Sequence, residues 1–461
     1  MSYEPVIGLE VHVQLQTRTK AFTSASATYG AAPNSHSDPY TLALPGTLPV
    51  LSRDAVEYAM RLGLAAGSQI TARGRFARKH YFYPDLPKGF QISQLDEPLC
   101  VGGRIQFVLD GEVRQVALTR IHMEEDAGKS MHEPGASYSL VDYNRAGVPL
   151  VEIVSEPELR SAAEAAAYLR AIRQLVRWLG ISDGNMEEGS LRCDANVSVR
   201  PVGETRLGTK AELKNMNSFK NVEAAVEYEI ARQSDLLSRG ERVVQETRLW
   251  NADKGTSHAM RSKEQAHDYR YFPEPDLPPL VVSDEWRERV RASLPELPIA
   301  RLQRLVAMGL SAYDAGVLTA ERELADYFDD VVERGAPAKQ AANWIMSRPE
   351  LRPPAGFVVE LIALIDAGTI SGKIAKDLYA RMAAEQRPPR QIVEAEGLTQ
   401  VSDTATIEAA CRAIVDANPK QVAQYKGGNP KLFGFFVGQV MKSHGRLNPE
   451  MVNDVLKKLL S

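Results

Sequence analysis

Cysteine is scarce in this chain of 461 residues, which has only Cys100, Cys193 and Cys411. The three lie far apart in the sequence, so no two of them form a CxxC metal motif or the start of a disulfide framework. A small secreted fold held together by disulfides is therefore excluded. Any metal site has to be built from histidine and carboxylate side chains.

Long apolar runs are missing as well. The longest hydrophobic stretches fall well short of the ~20 residues that span a membrane. At the amino end, Glu4, Glu10 and His12 interrupt the apolar region that a signal peptide would need. We therefore expect a cytoplasmic protein that makes no membrane contact.

The two commonest phosphate-binding loops are also absent. No GxGxxG occurs, and Gly128-Lys129-Ser130 resembles the end of a Walker A motif only by chance, because Met123 holds the position of the first required glycine.

The formal net charge is −4, so contact with nucleic acid would need local basic patches. Residues 401–461 offer a modest one, with eight Lys or Arg against five Asp or Glu.

The order of patterns along the chain predicts an α+β protein with several domains. Mixed strands and helices extend to a proline-dense stretch at 271–279, helical patterns follow from about 284, and a break comes near 394–404. We predict a mixed α/β domain over 1–290, an all-α helical domain over 291–400 and a small α-helical tail domain over 401–461. The predicted strands are 5–15, 104–109, 113–123, 148–154, 190–200 and 208–214, and the predicted helices of the first domain are 161–179 and 219–239.

The clearest local pattern lies at residues 6–15, where apolar residues alternate with Gly8, Glu10, His12 and Gln14. A period of two predicts a β-strand, which places Glu10 and His12 on one face, roughly 7 Å apart. A carboxylate and an imidazole held this way can bind a divalent metal or exchange a proton. An amphipathic strand with a solvated face explains the pattern equally well.

Two further carboxylates stand in apolar strands. Glu152 has aliphatic neighbours on both sides, so its charge requires either a metal or a partner such as Arg145. In the acidic run that follows His122, Glu125 shares strand parity with Ile121 and Met123, the side expected to face inward. Glu124 has the opposite parity, and we expect it to be structural.

Polar residues also alternate along 191–200, where Arg192, Asp194, Asn196, Ser198 and Arg200 share one face. This face is typical of the floor of a polar cavity, although a solvent-facing strand would also explain it. Lys210, Glu212 and Lys214 repeat the alternation and fit a solvated strand face.

A basic run, Arg78-Lys79-His80, precedes the aromatic residues Tyr81-Phe82-Tyr83. Cations next to aromatic rings suit a nucleotide or an RNA strand. A strand edge with snorkelling basic side chains is the alternative interpretation.

Together these segments resemble a known family. The strings that carry the resemblance are IGLEVHVQL (7–15), RKHYFYPDLPKGFQISQ (78–94), HMEEDAGKS (122–130), VDYNRAGVPLVEIVSEP (141–157), NMEEGSLRCDANVSV (185–199), ELKNMNSFK (212–220) and NPKLFGFFVGQVMK (429–442). They are similar to the B subunit of the bacterial aspartyl/glutamyl-tRNA amidotransferases, over nearly the full length.

The resemblance implies a ligase with a cradle-shaped amino-terminal domain. Such a domain transfers the γ-phosphate of ATP to the side-chain carboxylate of Asp or Glu misacylated onto tRNA(Asn) or tRNA(Gln). Ammonia from the amidase (A) subunit then displaces the phosphate, a small C subunit wraps the pair, and the helical and tail domains bind the tRNA.

The resemblance also implies site residues. Family members bind the catalytic Mg²⁺ through positions that match His12, Glu125 and Glu152, and a histidine ligand leaves room for Mn²⁺. Glu10 and Asp194 complete the candidate catalytic residues. The candidates for binding ATP are Arg78, Lys79, Arg192, Lys210 and Lys214.

One departure concerns zinc. Many family members carry four zinc-binding cysteines where this chain has Thr23, Ala25, Asp38 and Thr41. We therefore expect no structural zinc. Two other functions stay open on the residues alone: a metal-dependent hydrolase that uses His12, Glu125 and Glu152, and a non-catalytic tRNA-binding scaffold.

Overall fold

The structure, a computed structural model, describes residues 2–132, 135–260, 269–400, 403–444 and 447–460. Its strands are β1 (Tyr3–Gln14), β2 (Gln69–Ile70), β3 (Arg73–Gly74), β4 (Ala77–His80), β5 (Phe90–Ser93), β6 (Cys100–Val101), β7 (Arg104–Leu109), β8 (Glu112–Glu125), β9 (Lys129–His132), β10 (Ser139–Asp142), β11 (Pro149–Ser155), β12 (Leu191–Pro201), β13 (Ala211–Lys214), β14 (Thr247–Asn251), β15 (Thr256–Ala259), β16 (Phe272–Pro273) and β17 (Leu280–Val281).

Helices are few before residue 284 and dominate after it. They are α1 (Arg53–Ala65), α2 (Ala162–Trp178), α3 (Phe219–Ser238), α4 (Asp284–Ala292), α5 (Pro298–Ala307), α6 (Ala312–Leu318), α7 (Arg322–Glu333), α8 (Ala338–Ser347), α9 (Ala355–Asp366), α10 (Gly372–Glu385), α11 (Pro389–Glu396), α12 (Thr404–Ala417), α13 (Pro419–Lys426), α14 (Leu432–Ser443) and α15 (Pro449–Leu460). The α+β prediction, with a mixed region followed by a helical one, is confirmed.

A large sheet organises the first part of the chain. Within the described residues it has the strand order β15-β14-β13-β12-β1-β11-β8-β6-β2, and β7 also pairs with β8. The central strands β12, β1, β11 and β8 are antiparallel to their neighbours in this series. The amino-terminal strand therefore lies in the middle of the sheet, between strands that are more than 100 residues away in sequence.

The two faces of the large sheet differ in chemistry because side chains alternate along each strand. Ile7, Leu9, Val11 and Val13 point to one face, where they join a hydrophobic core with residues of α2 and α3. The side chain of Ser161 accepts a hydrogen bond from the backbone N–H of Glu164 and so caps α2 at its start. The opposite face carries Glu10 and His12.

A small sheet with the order β16-β4-β5 lies near the end of β8. β5 pairs antiparallel with β4, and β16, from far along the chain, pairs with the other edge of β4. Arg78 of β4 donates to both carboxylate oxygens of Glu274, at 2.7 and 2.8 Å, which ties the two distant segments together.

The chain divides into two compact units, Met1–Arg301 and Leu302–Ser461. The second unit contains two hydrophobic clusters, one formed by residues between Leu305 and Val393 and the other by residues between Ile407 and Leu460. The domain boundaries near 290 and 400 remain predictions.

In the part of the chain that the structure describes, no helix is both long and apolar enough to cross a membrane.

Candidate active site

The register of the large sheet aligns polar side chains from strands that are distant in sequence. On β1, His12 is directly opposite Glu152 on one side and Arg192 on the other. Glu152 is in turn opposite His122 of β8. Directly opposite residues of antiparallel strands share a face of the sheet. These side chains therefore form one row across four adjacent strands.

Three members of this region could hold a cation together. His12, Glu124 and Glu152 each offer one ligand atom, and these atoms all lie within 4.8 Å of one another. We call them the ligand group. His12 Nε2 is 3.4 Å from Glu152 Oε2, and His122 Nε2 is 3.3 Å from both Glu152 Oε2 and Glu124 Oε1. An imidazole and two carboxylates at this spacing suit a divalent metal ion.

The ligand group concentrates charge in a buried setting. Burial opposes ionisation of Glu124, but the hydrogen bond and charge of His122 and the charge of Lys79 outweigh it and lower its pKa to about 2. Burial likewise opposes the charge of His122, yet its bonds to Glu124 and Glu152 raise its pKa to about 9. Burial also opposes ionisation of Glu152, but the hydrogen bonds of His12 and His122 hold its pKa well below the usual range. Both carboxylates are therefore ionised at neutral pH, and the imidazolium of His122 offsets part of their charge.

Glu10 and Asp194 continue the polar face one step away from the ligand group. They are directly opposite each other on β1 and β12. Burial, and then the charge of Glu152, raise the pKa of Glu10, whose carboxylate accepts a 2.9 Å hydrogen bond from Asn196 Nδ2. Asp194 is paired with Lys214. The structure thus brings both predicted catalytic residues to the face that carries His12.

A cavity of about 630 Å³ opens beside this row. Gln14, Arg192 and Asp194 line it from the sheet. Arg192 Nη2 lies 3.0 Å from the buried carboxylate of Asp126, which also accepts a 2.6 Å hydrogen bond from Gln14 Nε2. Of the five polar-face residues of β12, Arg192 and Asp194 line this cavity, whereas Asn196, Ser198 and Arg200 do not. Other cavity residues include Lys129, Asn144, Arg145, Met186 and Met216.

Comparison with known proteins decides the family. Residues 5–288 match the GatB/GatE catalytic domain, and residues 326–460 match the GatB domain. Three proteins named as the B subunit of aspartyl/glutamyl-tRNA(Asn/Gln) amidotransferase are similar to the chain: 54% identical from Geobacter sulfurreducens, 53% from Chlorobium chlorochromatii and 50% from Thermodesulfovibrio yellowstonii. Each match covers 100% of this chain and 100% of the relative. The chain belongs to the family of amidotransferase B subunits.

Family membership confirms the resemblance drawn from the sequence strings. It supports the interpretation as one subunit of an amidotransferase, a ligase-type complex, over a metal-dependent hydrolase and over a non-catalytic tRNA-binding scaffold. It does not assign roles to individual site residues, which depend on the contacts of each side chain.

Glu125, predicted as a metal ligand, lies outside the ligand group. Its carboxylate accepts a 2.9 Å hydrogen bond from the backbone N–H of Ile92 and contacts the ammonium group of Lys88. Glu124, which we expected to be structural, occupies the place beside Glu152 instead. Strand parity explains the difference, because the face shared with His12 carries His122 and Glu124 rather than Ile121 and Met123. A ligand role for Glu125 stays a prediction that this geometry does not favour.

The contacts of Glu152 are with histidines rather than with the arginine considered from the sequence. The alternative salt bridge to Arg145 is not formed. Arg145 Nε instead lies 3.8 Å from Asp126 and donates to the carbonyl oxygen of Ala127. The Glu152 carboxylate contacts the imidazole rings of His12 and His122 instead, and these two residues lie beside it in the row across the sheet.

The basic residues predicted to bind ATP occupy different places. Lys79 Nζ is 3.9 Å from Glu124 Oε1, at the ligand group. Arg78 forms ion pairs with Glu274 and Asp276, and its Cζ lies 4.2 Å from the centre of the Phe90 ring. These contacts indicate that Arg78 stabilises the fold. Lys210 is exposed, whereas Arg192 lines the cavity and Lys214 pairs with Asp194 and Glu212. Lys79 thus approaches Glu124 of the ligand group, and Arg192 is directly opposite His12 on the neighbouring strand.

The four positions that match the zinc cysteines of other members are linked by hydrogen bonds. The Asp38 carboxylate accepts from the backbone N–H groups of Tyr40 and Thr41, at 2.9 and 3.1 Å, and from the hydroxyls of Thr23 and Thr41. The N–H of Ala25 donates to the Thr23 hydroxyl at 3.2 Å. The Asp38 carboxylate thus links loop positions that cysteines would link through a zinc ion in other family members.

Sequence reasoning missed several residues that contact the ligand group. His122 bridges Glu124 and Glu152, and Gln91 and Ser93 donate hydrogen bonds to Glu124. The parity of His122 with Glu124 was visible in the sequence, but only the register of β8 and β11 shows that this face is shared with His12. No sequence signal placed the four-residue strand β5 against the end of β8.

Proposed function

We propose that this chain is the B subunit of a glutamine-dependent tRNA amidotransferase and that its first unit carries the kinase step. The ionised side chain of Asp-tRNA(Asn) or Glu-tRNA(Gln) attacks the γ-phosphorus of ATP, ADP leaves, and an acyl phosphate results. Ammonia then attacks the acyl carbon and phosphate departs, which yields the amidated aminoacyl-tRNA. The names of the relatives supply the substrate class, and the observation that carries the proposal is the ligand group.

We propose Mg²⁺ or Mn²⁺ as the ion, held by His12, Glu124 and Glu152. The fit rests on three ligand atoms within 4.8 Å of one another and on a donor set of one nitrogen and two carboxylates. Mg²⁺ prefers oxygen ligands, and Mn²⁺ accepts imidazole more readily. When bound, such an ion neutralises phosphate charge during phosphoryl transfer.

The chain's own residues would perform the remaining tasks. The accepting carboxylate is already ionised at neutral pH, so no general base is required. Lys79, beside Glu124, and Arg192, on the cavity wall, supply positive charge on two sides of the ligand group. The 630 Å³ cavity is large enough to orient a nucleotide or the aminoacylated end of a tRNA and to exclude water from the reacting groups.

The partner assignments belong to the same proposal. The amidase (A) subunit supplies ammonia, a small C subunit joins the complex, and the carboxyl-terminal helices bind the tRNA. In the tail, Lys420, Lys426, Lys431 and Lys442 are exposed, as phosphate-binding residues must be.

A reconstituted complex tests the proposal directly. With wild-type chain, amidated aminoacyl-tRNA should form only when ATP, divalent metal and misacylated tRNA are all present. Glu152→Gln should remove that product while the partner's release of ammonia from glutamine persists. Metal-dependent turnover without ATP and tRNA would favour the hydrolase, and ammonia without any phosphorylated intermediate would favour the scaffold.

A further inference from the structure

Two side chains of the small sheet hold the carboxylate of Glu124. Ser93 Oγ donates to Glu124 Oε1 at 2.7 Å, and Gln91 Nε2 donates to Glu124 Oε2 at 3.1 Å. Both donors are almost fully buried, with exposed fractions of 2% and 6%. Each oxygen of the carboxylate therefore receives one directed hydrogen bond from β5.

The register of the small sheet explains why these donors converge. Lys79 is directly opposite Gln91, and Ala77 is opposite Ser93, so Lys79, Gln91 and Ser93 share one face. That face meets the end of β8, where Lys79 Nζ is 3.9 Å from Glu124 Oε1. One cation and two neutral donors thus contact the Glu124 carboxylate.

The neighbouring Glu125 fastens the same strand. Its side chain accepts from the N–H of Ile92, at 2.9 Å, and its backbone carbonyl accepts from Gln91 Nε2, at 2.7 Å. The two consecutive glutamates therefore have different roles in this geometry. Glu124 belongs to the ligand group, and Glu125 attaches β5 to β8.

We propose that Ser93 and Gln91 are positioning residues that fix the orientation of Glu124 for metal binding. This inference rests on the proposed function, in which Glu124 is a ligand. Residues that hydrogen-bond a metal-ligating carboxylate restrict its rotation, and their loss typically lowers metal affinity by about 10- to 100-fold. The two donors act on the ligand without contacting the ion.

The test measures Mn²⁺ binding to the purified full-length chain, with free Mn²⁺ quantified by its EPR signal. Ser93→Ala should weaken binding about 10-fold or more, and Ser93→Thr, which restores a hydroxyl, should recover most of the loss. Ser198→Ala is the matched control. Ser198 is buried like Ser93, but it lies on β12 of the large sheet, and its hydroxyl donates to the carbonyl oxygen of Val6 at 3.4 Å. This control should bind Mn²⁺ as wild type does.

A second substitution and a ligand variant separate the possible failures. If Ser93→Ala does not fold, Gln91→Met, which removes the other donor, has to show the same loss of affinity. Glu124→Gln should lose most Mn²⁺ binding. If Glu124→Gln loses it while both donor variants bind within twofold of wild type, the positioning inference is overturned and the proposed function stands. If Glu124→Gln also binds normally, the metal assignment itself fails.

Discussion

Glu124 and Glu125 are adjacent in the chain, yet their carboxylates have no hydrogen-bond partner in common. The side chain of Glu124 is held by His122, Gln91 and Ser93, whereas that of Glu125 is held by the Ile92 N–H and Lys88. Alternation along β8 turns the first toward His12 and Glu152 and the second toward the Ile92 N–H and Lys88. The same substitution at the two positions should therefore have different consequences.

Glu124→Gln should abolish amidation in the reconstituted complex, with a fall of at least about 100-fold, on the order of 3 kcal/mol of transition-state stabilisation. The physical reason is the loss of a charged ligand from the group that would neutralise phosphate. The partner's glutaminase activity serves as the internal control. Near-normal amidation by this variant would rule out Glu124 as a ligand.

Glu125→Gln should act chiefly on stability. Lys88 has only 7% of its side chain exposed, so removing the paired carboxylate leaves a buried charge uncompensated, at a cost of about 3–5 kcal/mol. Denaturant unfolding of the purified chain measures this cost, and EPR titration should find Mn²⁺ affinity within a few-fold of wild type. A loss of affinity as large as that of Glu124→Gln, with stability unchanged, would restore the ligand role predicted from the sequence.

The Asp38 hydrogen bonds should replace zinc in holding the loop. Asp38→Ala removes an acceptor of four hydrogen bonds and should lower the free energy of unfolding by about 2 kcal/mol or more. Treatment of wild type with a chelator should leave the unfolding midpoint unchanged, and elemental analysis should find less than one zinc per chain. Tightly bound zinc at one per chain would contradict this prediction.

Lys20 should make stability depend on pH in the alkaline range. Its side chain is completely buried, and burial outweighs the attraction of Asp38 and Glu125 and lowers its pKa to about 8. In the unfolded chain the pKa of Lys20 is the ordinary lysine pKa, near 10.4. The free-energy cost of burying its ammonium group therefore applies in full below pH 8 and decreases as the pH rises toward 10.

Lys20→Met should therefore stabilise the folded chain at pH 7, by about 1–3 kcal/mol after loss of the 3.2 Å hydrogen bond to the Tyr143 carbonyl. The advantage over wild type should shrink at pH 10. Parallel urea titrations at the two pH values measure the difference between the proteins, which cancels the titration of other groups. An advantage that grows with pH would refute the assignment.

Truncation before Thr404 should weaken tRNA binding without removing the chemistry. The ligand group lies before residue 153, and the tail has its own hydrophobic cluster from Ile407 to Leu460. We expect a raised KM for charged tRNA, a smaller change in kcat, and a log–log salt slope reduced by roughly 0.7–0.9 for each lost phosphate contact. Unchanged tRNA affinity would show that the tail lysines are only a solvated surface.

Local pattern was sufficient to predict six strands of the large sheet, namely β1, β7, β8, β11, β12 and β13. The alternation around His12 predicted β1, and the alternation along 191–200 predicted β12, of whose polar face Arg192 and Asp194 line a cavity. Register could not be predicted, because pairing of β1 with strands more than 100 residues away depends on tertiary packing. The choice between Glu124 and Glu125 depended on that register, and so did the contacts made by Gln91 and Ser93.

The bidentate pair between Arg78 and Glu274 has a consequence for how the protein is made. Arg78 and Glu274 join β4 to β16, so the small sheet that supports Glu124 needs a segment nearly 200 residues further along the chain. A nascent polypeptide acquires its amino-terminal parts first. The residues of the ligand group are all translated early, but the sheet that steadies one of them can close only when the far end of the first unit has been synthesised. Competence for metal binding would then arise late, as one of the last events in the folding of this unit.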